Sequence, residues 1–344
     1  MWKVVKDNEM SKPPLFSIII ACYNHEKFIK DAVESVLRQE HFSKEIIVVD
    51  DASKDKSAEV LESFGSSIIF ESLPLNRGAA AARNHGATIA KGRYLVFLDG
   101  DDALTPWSLG VYGRIIGERN PILILGRCSV FYGELQTIKT GVPSDIQFTE
   151  YETFLDKDRP WVYNTSSLVV ERAAFLDAGG WSEDIFFQDI QDLLNKLCVA
   201  GRTNIVLAPD TVLYRMHSTN AIRQVARFIE GIYVLLGKAR QGAYPGGRRV
   251  SMKRSAWFGG LIFYWAKEGM RNGLFFDVLK LVFANGWMIL LAMIRRAVVR
   301  SAGRRPVEVL TLESITSDNP VTSYPVHPPA GSNLGEYKRP VKKA

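Results

Sequence analysis

Residues 15–24 read LFSIIIACYN: a run from Leu15 to Ala21, apolar but for Ser17, that stops at the polar pair Tyr23-Asn24. An Ile-rich run of this length is the pattern of a strand covered on both faces in a parallel sheet. Beyond it, Phe28, Ile29, Ala32, Val33, Val36 and Leu37 recur at three- and four-residue steps, the spacing of an amphipathic helix. EIIVVDD at 45–51 is a second buried strand, ending in two acids. The opening fifty residues therefore predict a β–α–β unit.

The alternation continues downstream. Ser53 and Ser57 offer caps for a short helix through Phe64, and Ser67 to Phe70 can form a third strand. The Ala-rich stretch from Ala79 to Ala90 has high helix propensity and is ended by Gly92. RYLVFLD at 93–99 is another buried strand, running into Gly100, Asp101 and Asp102. Ile122–Phe131, Ser166–Glu171 and Asn204–Ala208 read as strands, Phe175–Gly180 as a helix end, and Asp189–Ala200 and Val225–Leu236 as helices. There is no internal repeat. Strands alternating with helices predict an α/β fold, an open and mostly parallel sheet flanked by helices with right-handed crossovers.

Length and composition bound the rest. At roughly 150 residues per domain, 344 residues allow about two domains. A hydrophobic share of 47% with 23% charged residues excludes a disordered or collagen-like chain. Three scattered cysteines without a CxxC pair argue against a zinc module or a disulfide framework, and fit a reducing, cytoplasmic setting. No cleavable leader is expected in the charged N-terminal stretch.

In open α/β sheets ligands bind beyond the carboxyl ends of the strands. The polar residues gather at those ends: Tyr23-Asn24, Asp50-Asp51 and Asp99 to Asp102. Several carboxylates in one cleft repel one another unless a cation intervenes. Asp99 and Asp101 present hard oxygens suited to Mg²⁺ or Mn²⁺ held together with substrate phosphates. Solvated acidic loops have the same composition, but this one follows a buried strand and lies beside a second acidic strand end. Neither GxGxxG after the first strand nor GxxxxGK occurs, which disfavours redox chemistry on NAD and P-loop nucleotide chemistry.

Four ordered blocks, FSIIIACYNHEKFIKDAVESVLRQ, EIIVVDDASKDKS, NRGAAAARNHGA and GRYLVFLDGDD, resemble a family 2 glycosyltransferase of the GT-A fold. GGWSED, QDIQDLLNKLCVAG and YRMHSTN downstream resemble its acceptor half. The resemblance covers roughly residues 14–225. It implies a metal-dependent inverting enzyme that moves a sugar from a nucleoside-diphosphate sugar, a UDP-sugar being favoured, to a hydroxyl of a glycan or lipid-linked saccharide, as in cell-surface polysaccharide biosynthesis. Ala21, Tyr23 and Asn24 would then touch base and ribose, with Asp50 or Asp51 accepting a hydrogen bond from the base. Arg83 would face the diphosphate, while Asp99, Gly100 and Asp101 would meet the ribose and the metal. His217 would reach the metal or diphosphate from its loop. The general base would be Asp189, although Gln188 stands where the family pattern has Glu, and Asp192 lies one helical turn further on. That departure leaves a sugar-nucleotide-binding module without catalysis as the alternative.

From Gly237 to Arg305 the chain carries fourteen of its 43 Lys/Arg and two of its 37 acids. This segment also holds long aliphatic runs with Trp257, Phe258, Phe263, Tyr264 and Trp265. Residues 273–299 approach spanning length but are interrupted by Asp277, Lys280 and Asn285. The expectation is a basic, aromatic-rich helical extension at 226–305, lying in the interface of a cytoplasmic membrane face with Arg295, Arg296, Arg300, Arg304 and Arg305 toward lipid. The competing reading packs it on the catalytic core or on a second subunit in a homo-oligomer. No nucleic-acid-reading motif accompanies the charge. Residues 306–344, with six prolines and no periodicity, are expected to be a mobile tail.

Overall fold

The computed structural model describes residues 13–39, 42–135, 143–157, 164–185, 187–217, 220, 224–301 and 305–312. Strand β1 (Phe16–Cys22), helix α1 (Ile29–Leu37), β2 (Lys44–Asp50), α2 (Ser57–Glu62), β3 (Ile69–Ser72), α3 (Ala79–Ile89) and β4 (Tyr94–Asp99) follow one another as the alternation predicts. After them come β5 (Ala103–Leu104), α4 (Ser108–Arg119), β6 (Leu123–Leu125), β7 (Cys128–Phe131), β8 (Asp145–Tyr151), β9 (Leu168–Glu171), α5 (Arg172–Asp177) and α6 (Asp189–Lys196). The chain continues through β10 (Thr203–Ala208), β11 (Val212–Arg215), α7 (Val225–Arg240), α8 (Arg248–Arg271), α9 (Phe275–Ser301) and β12 (Glu308–Thr311).

Nine strands form the main sheet in the order β12-β8-β10-β6-β9-β4-β1-β2-β3. Its half from β4 to β3 is parallel, whereas β9 runs antiparallel to both β4 and β6. Because side chains alternate along a strand, each central strand feeds two cores. Ile19, Ala21, Ile47, Val49, Leu95 and Phe97 pack on one face, which α3, α6, α7 and α8 cover. Ile18, Ile20, Val48, Val96 and Leu98 pack on the other, against α1 and α4.

The structure corrects several expectations. The run Ile122–Phe131 is two strands in two sheets, since β7 pairs with β11 in a three-stranded sheet β5-β11-β7. The break falls at Gly126, where a Cβ would lie 2.4 Å from Thr211 Oγ1 and 2.5 Å from the Tyr112 hydroxyl. The supposed tail begins with an ordered edge strand: β12 pairs antiparallel with β8, Leu312 is buried, and Glu308 accepts from Arg119 Nη2 at 2.6 Å. Residues 313–344 lie outside the described residues, as do 1–12, where a leader was judged absent.

The helical extension is not a separate body. Ile229, Ile232, Leu235, Trp257, Phe258, Leu261 and Trp265 belong to the same core as β1 and β4, so three of the aromatics expected at a lipid interface are interior residues. Some of the segment's basic side chains also bond to the rest of the protein. Arg254 is buried against Asn195 and the Pro245 carbonyl, Lys253 pairs with Asp156, Arg295 donates to the Leu155 carbonyl, and Arg305 lies over the Tyr151 ring at 4.7 Å. Arg304 and the Arg300 side chain lie outside what is described. Helix α9 packs on α8 so closely that a Cβ on Gly259 would fall 1.8 Å from the Met288 carbonyl oxygen. It bends at Asn285 (φ −133°), whose buried amide donates to Leu281 O at 3.0 Å and accepts from Arg240 at 3.2 Å.

Candidate active site

Strand register assembles the site. β1 and β2 are paired so that Cys22 faces Asp50, and β1 and β4 so that Ala21 faces Asp99. Three strands thus end side by side with their polar residues at one level. Just past β4, Gly100 donates to the Ala21 carbonyl at 3.0 Å, and a Cβ there would lie 2.6 Å from His25 Nδ1. Only glycine lets the acidic loop approach β1 this closely.

At the β1–β2 end, Asn24 adopts a left-handed conformation (φ 56°), which an Asn side chain tolerates through local hydrogen bonds. Its Oδ1 accepts from Lys54 N at 2.8 Å, and its backbone N–H donates to Ser53 Oγ at 2.9 Å. Asp50 accepts from the Ser53 backbone and hydroxyl. Asp51 binds two backbone N–H groups at the start of α3, Arg77 at 2.8 Å and Gly78 at 2.7 Å. Both acids are buried, but Asp51 is committed to the scaffold, whereas Asp50 is held partly through a rotatable hydroxyl. Tyr23 is 38% exposed.

Arg83 links the two halves of the site. It projects from α3 and is almost wholly buried, with Nη2 2.6 Å from Asp99 Oδ1 and Nη1 3.0 Å from Asp189 Oδ2. Burial alone would depress a guanidinium's pKa, but the two carboxylates hold it above its ordinary value. Its plane rests on Trp181, with Cζ 5.2 Å from the ring centroid. Asn84, the next residue, clamps Trp181 by reciprocal bonds of 2.9 Å to its backbone. Gly180 (φ 62°) makes that contact feasible, since a Cβ there would lie 2.7 Å from Asn84 Oδ1. The Gly-Gly-Trp turn therefore delivers the start of α6, and with it Asp189, to Arg83.

The acidic loop divides its labour. Carboxylate oxygens of Asp99, Asp101 and Asp102 lie within 4.8 Å of one another. Asp102 is fully buried and accepts from Ser166 Oγ (2.6 Å), Asn164 Nδ2 (3.0 Å) and the Arg215 backbone (3.0 Å). Burial, together with the charges of Asp101 and Asp99, pushes its carboxyl well above the usual range. Asp101 is also penalised by burial, yet the His217 hydrogen bond and the charges of His25 and His217 bring it below the ordinary value. His217 Nε2 sits 2.8 Å from Asp101 Oδ2, its ring stacked on Phe28, so the structure places it as a partner of the acidic loop; contact with a metal would have to replace that bond.

Arg83 engages Asp99 through Oδ1, and His217 engages Asp101 through Oδ2. Two hard carboxylates with a histidine behind one of them fit a Mg²⁺ or Mn²⁺ that takes its remaining ligands from substrate phosphates. Among the described residues, Arg83 Nε and the His25 Nδ1 ring nitrogen are buried without a hydrogen-bond partner.

Asp189 and Asp192, one helical turn apart, have different environments. Asp192 is fully buried, accepts from Ser182 (2.7 Å) and Tyr244 (2.8 Å), and pairs with Lys196 at 3.0 Å. Asp189 opens on the cleft, and burial raises its carboxyl pKa despite the opposing charge of Arg83.

Sequence reasoning missed Arg215 and Ser166. Arg215 lies between the rings of Phe28 and Phe131, 4.9 and 4.6 Å from their centroids. It donates to Asp31 (2.7 Å) and to the Asp101 carbonyl (2.9 Å), fixing the acidic loop from behind. Ser166 Oγ accepts from Asp99 N and donates to Asp102. The only sequence signal was Arg215's place two residues before His217.

Comparison with known proteins agrees with this architecture. The family model for Glycosyl transferase family 2 matches residues 17–175. A UDP-Glc:alpha-D-GlcNAc-diphosphoundecaprenol beta-1,3-glucosyltransferase, WfaP of Escherichia coli, is 46% identical over 228 residues, 62% of this chain and 83% of WfaP. The chain belongs to glycosyl transferase family 2. Another relative, the uncharacterized glycosyltransferase EpsJ of Bacillus subtilis, is 36% identical over 141 residues, and the matched region spans only 39% of either chain. The chain likewise spans less than half the length of several other curated relatives in the family. The crystal structure of S. aureus TarS 1–349 in complex with UDP-GlcNAc shares the fold at TM-score 0.61 and 16% identity, with 83% of each chain covered.

Proposed function

We propose that this glycosyltransferase performs metal-dependent, inverting transfer of a sugar from a UDP-sugar to a hydroxyl of a lipid-linked saccharide during cell-surface polysaccharide synthesis. The observation that carries the proposal is Arg83 buried between Asp99 and Asp189, since it joins a diphosphate-binding side to a base side in one cleft. WfaP's name, with a UDP-Glc donor and a diphosphoundecaprenol-linked acceptor, and the UDP-GlcNAc complex of TarS support the choice of substrate classes.

In this reading Tyr23 stacks on the base, Asn24 and Ala21 line the ribose, and Asp50 accepts from the base. Arg83 meets the diphosphate oxygens as a charge-assisted donor, with Gly100 keeping the backbone clear. Asp99 and Asp101 would hold the divalent cation, which neutralises charge on the leaving diphosphate. Asp189 Oδ takes the proton of the acceptor hydroxyl as that oxygen bonds to the anomeric carbon and the bond from carbon to phosphate oxygen breaks on the opposite face. No glycosyl–enzyme intermediate is required. Gln188 is no argument against catalysis, because its buried amide has a structural task of its own.

Helix α9 supports association with the cytoplasmic face of a membrane. Its 25 residues from Phe275 to Val299 are long and apolar enough to cross one. However, Val278, Leu281, Met288 and Ala292 are buried inside the protein, so lipid cannot surround it. Phe276, Leu279, Phe283, Trp287 and Leu290 recur along its other face, with Phe283 96% exposed. A helix with one face in the protein and an apolar face outside fits one lying in the interface plane.

Thermal shift with UDP, GDP and their sugars, with and without Mn²⁺, tests the donor assignment. UDP-sugar plus Mn²⁺ should stabilise the fold by about 2–3 kcal/mol at a hundredfold excess over Kd. Stabilisation by GDP-sugars alone, or no effect of Mn²⁺, would overturn it.

A further inference from the structure

Gln188 occupies the position before the proposed base, and its surroundings explain why an amide stands there. The side chain is buried, and Nε2 donates to the carbonyl of Phe228 at 3.1 Å. Phe228 lies in the first turn of α7. A carboxylate at this position would have no proton to donate and would set negative charge against a carbonyl oxygen in a buried setting.

The preceding residue grips the same partner. Phe187 meets the Phe228 ring edge to face at 5.1 Å, and it does so from a left-handed backbone (φ 67°) that costs a non-glycine residue on the order of 1–2 kcal/mol. Phe228 in turn stacks on Trp265 of α8, with centroids 4.2 Å apart and planes 11° from parallel. Two consecutive residues, one by its ring and one by its amide, thus fasten the start of α6 to the C-terminal helices. Asp189 is the next residue, the first of α6.

We propose that Gln188 is a positioning residue: through its bond to the Phe228 carbonyl it makes the α7–α8 helices the seat of the base, so that Asp189 is placed by the extension and not by the sheet alone. The inference rests on Asp189 being the base. It predicts that a departure from the Glu-Asp pattern, which suggests a weakened enzyme, is required by this chain's own extension, and that restoring Glu impairs it. Gln188 itself touches no substrate. The α7 carbonyl it binds also takes part in the helix, so loss of the amide leaves the fold intact and the aspartate loosely placed. A misplacement of about 1 Å can cost on the order of 10²-fold in rate.

The test is a double-mutant cycle on the full chain with UDP-sugar and a lipid-linked acceptor, using Gln188→Met, Gln188→Glu and Asp189→Asn. Gln188→Met should lower kcat by about 10- to 100-fold, with the KM for donor within about twofold of the parent. In the Asp189→Asn background the same substitution should change the residual rate by less than about twofold, because its effect passes through the missing carboxylate. The rate of Gln188→Glu relative to the parent should rise as pH falls, since a protonated Glu regains a donor. An equal loss from Gln188→Met in both backgrounds would mean a general structural role and overturn the proposal, as would a parent-like kcat. If Asp189→Asn abolishes transfer while Gln188→Met is parent-like, only this inference fails; if Asp189→Asn is fully active, the base assignment fails and takes the inference with it.

Discussion

The strand-end cleft and the outer face of α9 sit on one fold and are built on opposite principles. In the cleft nearly every charged group is held by another: Arg83 by two aspartates, Asp101 by His217, Asp102 by three donors, and Arg215 by Asp31 between two rings. On α9 the large side chains Phe276, Phe283 and Trp287 touch little of the protein. A buried ionic network must be satisfied in advance, because an unpaired charge at low dielectric costs several kcal/mol. An apolar face can wait for its partner at a modest cost per residue. The cleft is therefore arranged before its ligand arrives, and the helix face is completed by its surroundings.

The sharpest way to break the cleft side of this contrast is Asp189→Asn. The amide oxygen can still accept from Arg83, so folding and donor binding should survive while transfer falls by about 10²–10⁴-fold in initial-rate assays. The parent's pH profile carries a linked expectation. Burial raises the Asp189 carboxyl above its ordinary value of 3.8, so the base form is lost earlier on acidification. The acid limb of kcat/KM should lie above that value, and an acid limb below it would contradict a buried base.

Asp192→Asn should do the reverse. It removes the charge that faces Lys196 while leaving an amide oxygen to accept from Tyr244, so a buried ion pair is broken. Denaturant melts should show a loss of about 3 kcal/mol, with kcat of the folded enzyme within a few-fold of the parent. Equal effects on rate from the two aspartates would erase the distinction between them.

The contrast also explains what could be read in the sequence. β1, β2 and β4 were legible because strands buried on both faces are continuous apolar runs, and their acidic ends located the cleft. That register sets Asp99 and the acidic loop at the cleft, and Arg83 of α3 joins Asp99 to Asp189 of α6. β8 and the short β11 and β12 were not legible. β8 and β12 are two- or one-sided strands near the sheet edge, and the four residues of β11 pair in a second sheet that no local pattern announces. Arg215 was missed because its partners Asp31, Phe28 and Phe131 are separated from it by between eighty and two hundred residues of chain, and nothing but folding joins them. The helical extension was recognised by composition, but composition cannot say which face of a helix is inside. Trp257, Phe258 and Trp265 were placed at a lipid surface on their hydrophobicity and are core residues for the same reason.

Gly259→Ala sharpens the α8–α9 half. A methyl group at 1.8 Å from the Met288 carbonyl cannot be accommodated by side-chain rotation, so the two backbones must separate. Overpacking of this kind costs about 1–3 kcal/mol, readable as a lowered Tm, with donor binding preserved because the cleft lies on other elements.

The smallest effect on the fold, and the most telling for the helix, comes from Phe283→Ser. The side chain is 96% exposed, so its loss should leave the melting temperature of the soluble enzyme within a degree or so. If α9 lies in a membrane interface, the same ring is buried in lipid, and removing it forfeits about 1.5–3 kcal/mol of apolar transfer. Partitioning onto vesicles containing anionic lipid should then weaken by roughly 10- to 100-fold in sedimentation assays. Lys280 beside it is exposed, whereas Lys253, Arg254 and Arg295 are turned into the protein, so added salt should weaken binding less than the loss of one aromatic ring does. A salt dependence steeper than the Phe283 effect would mean that charge, not the apolar face, carries the attachment.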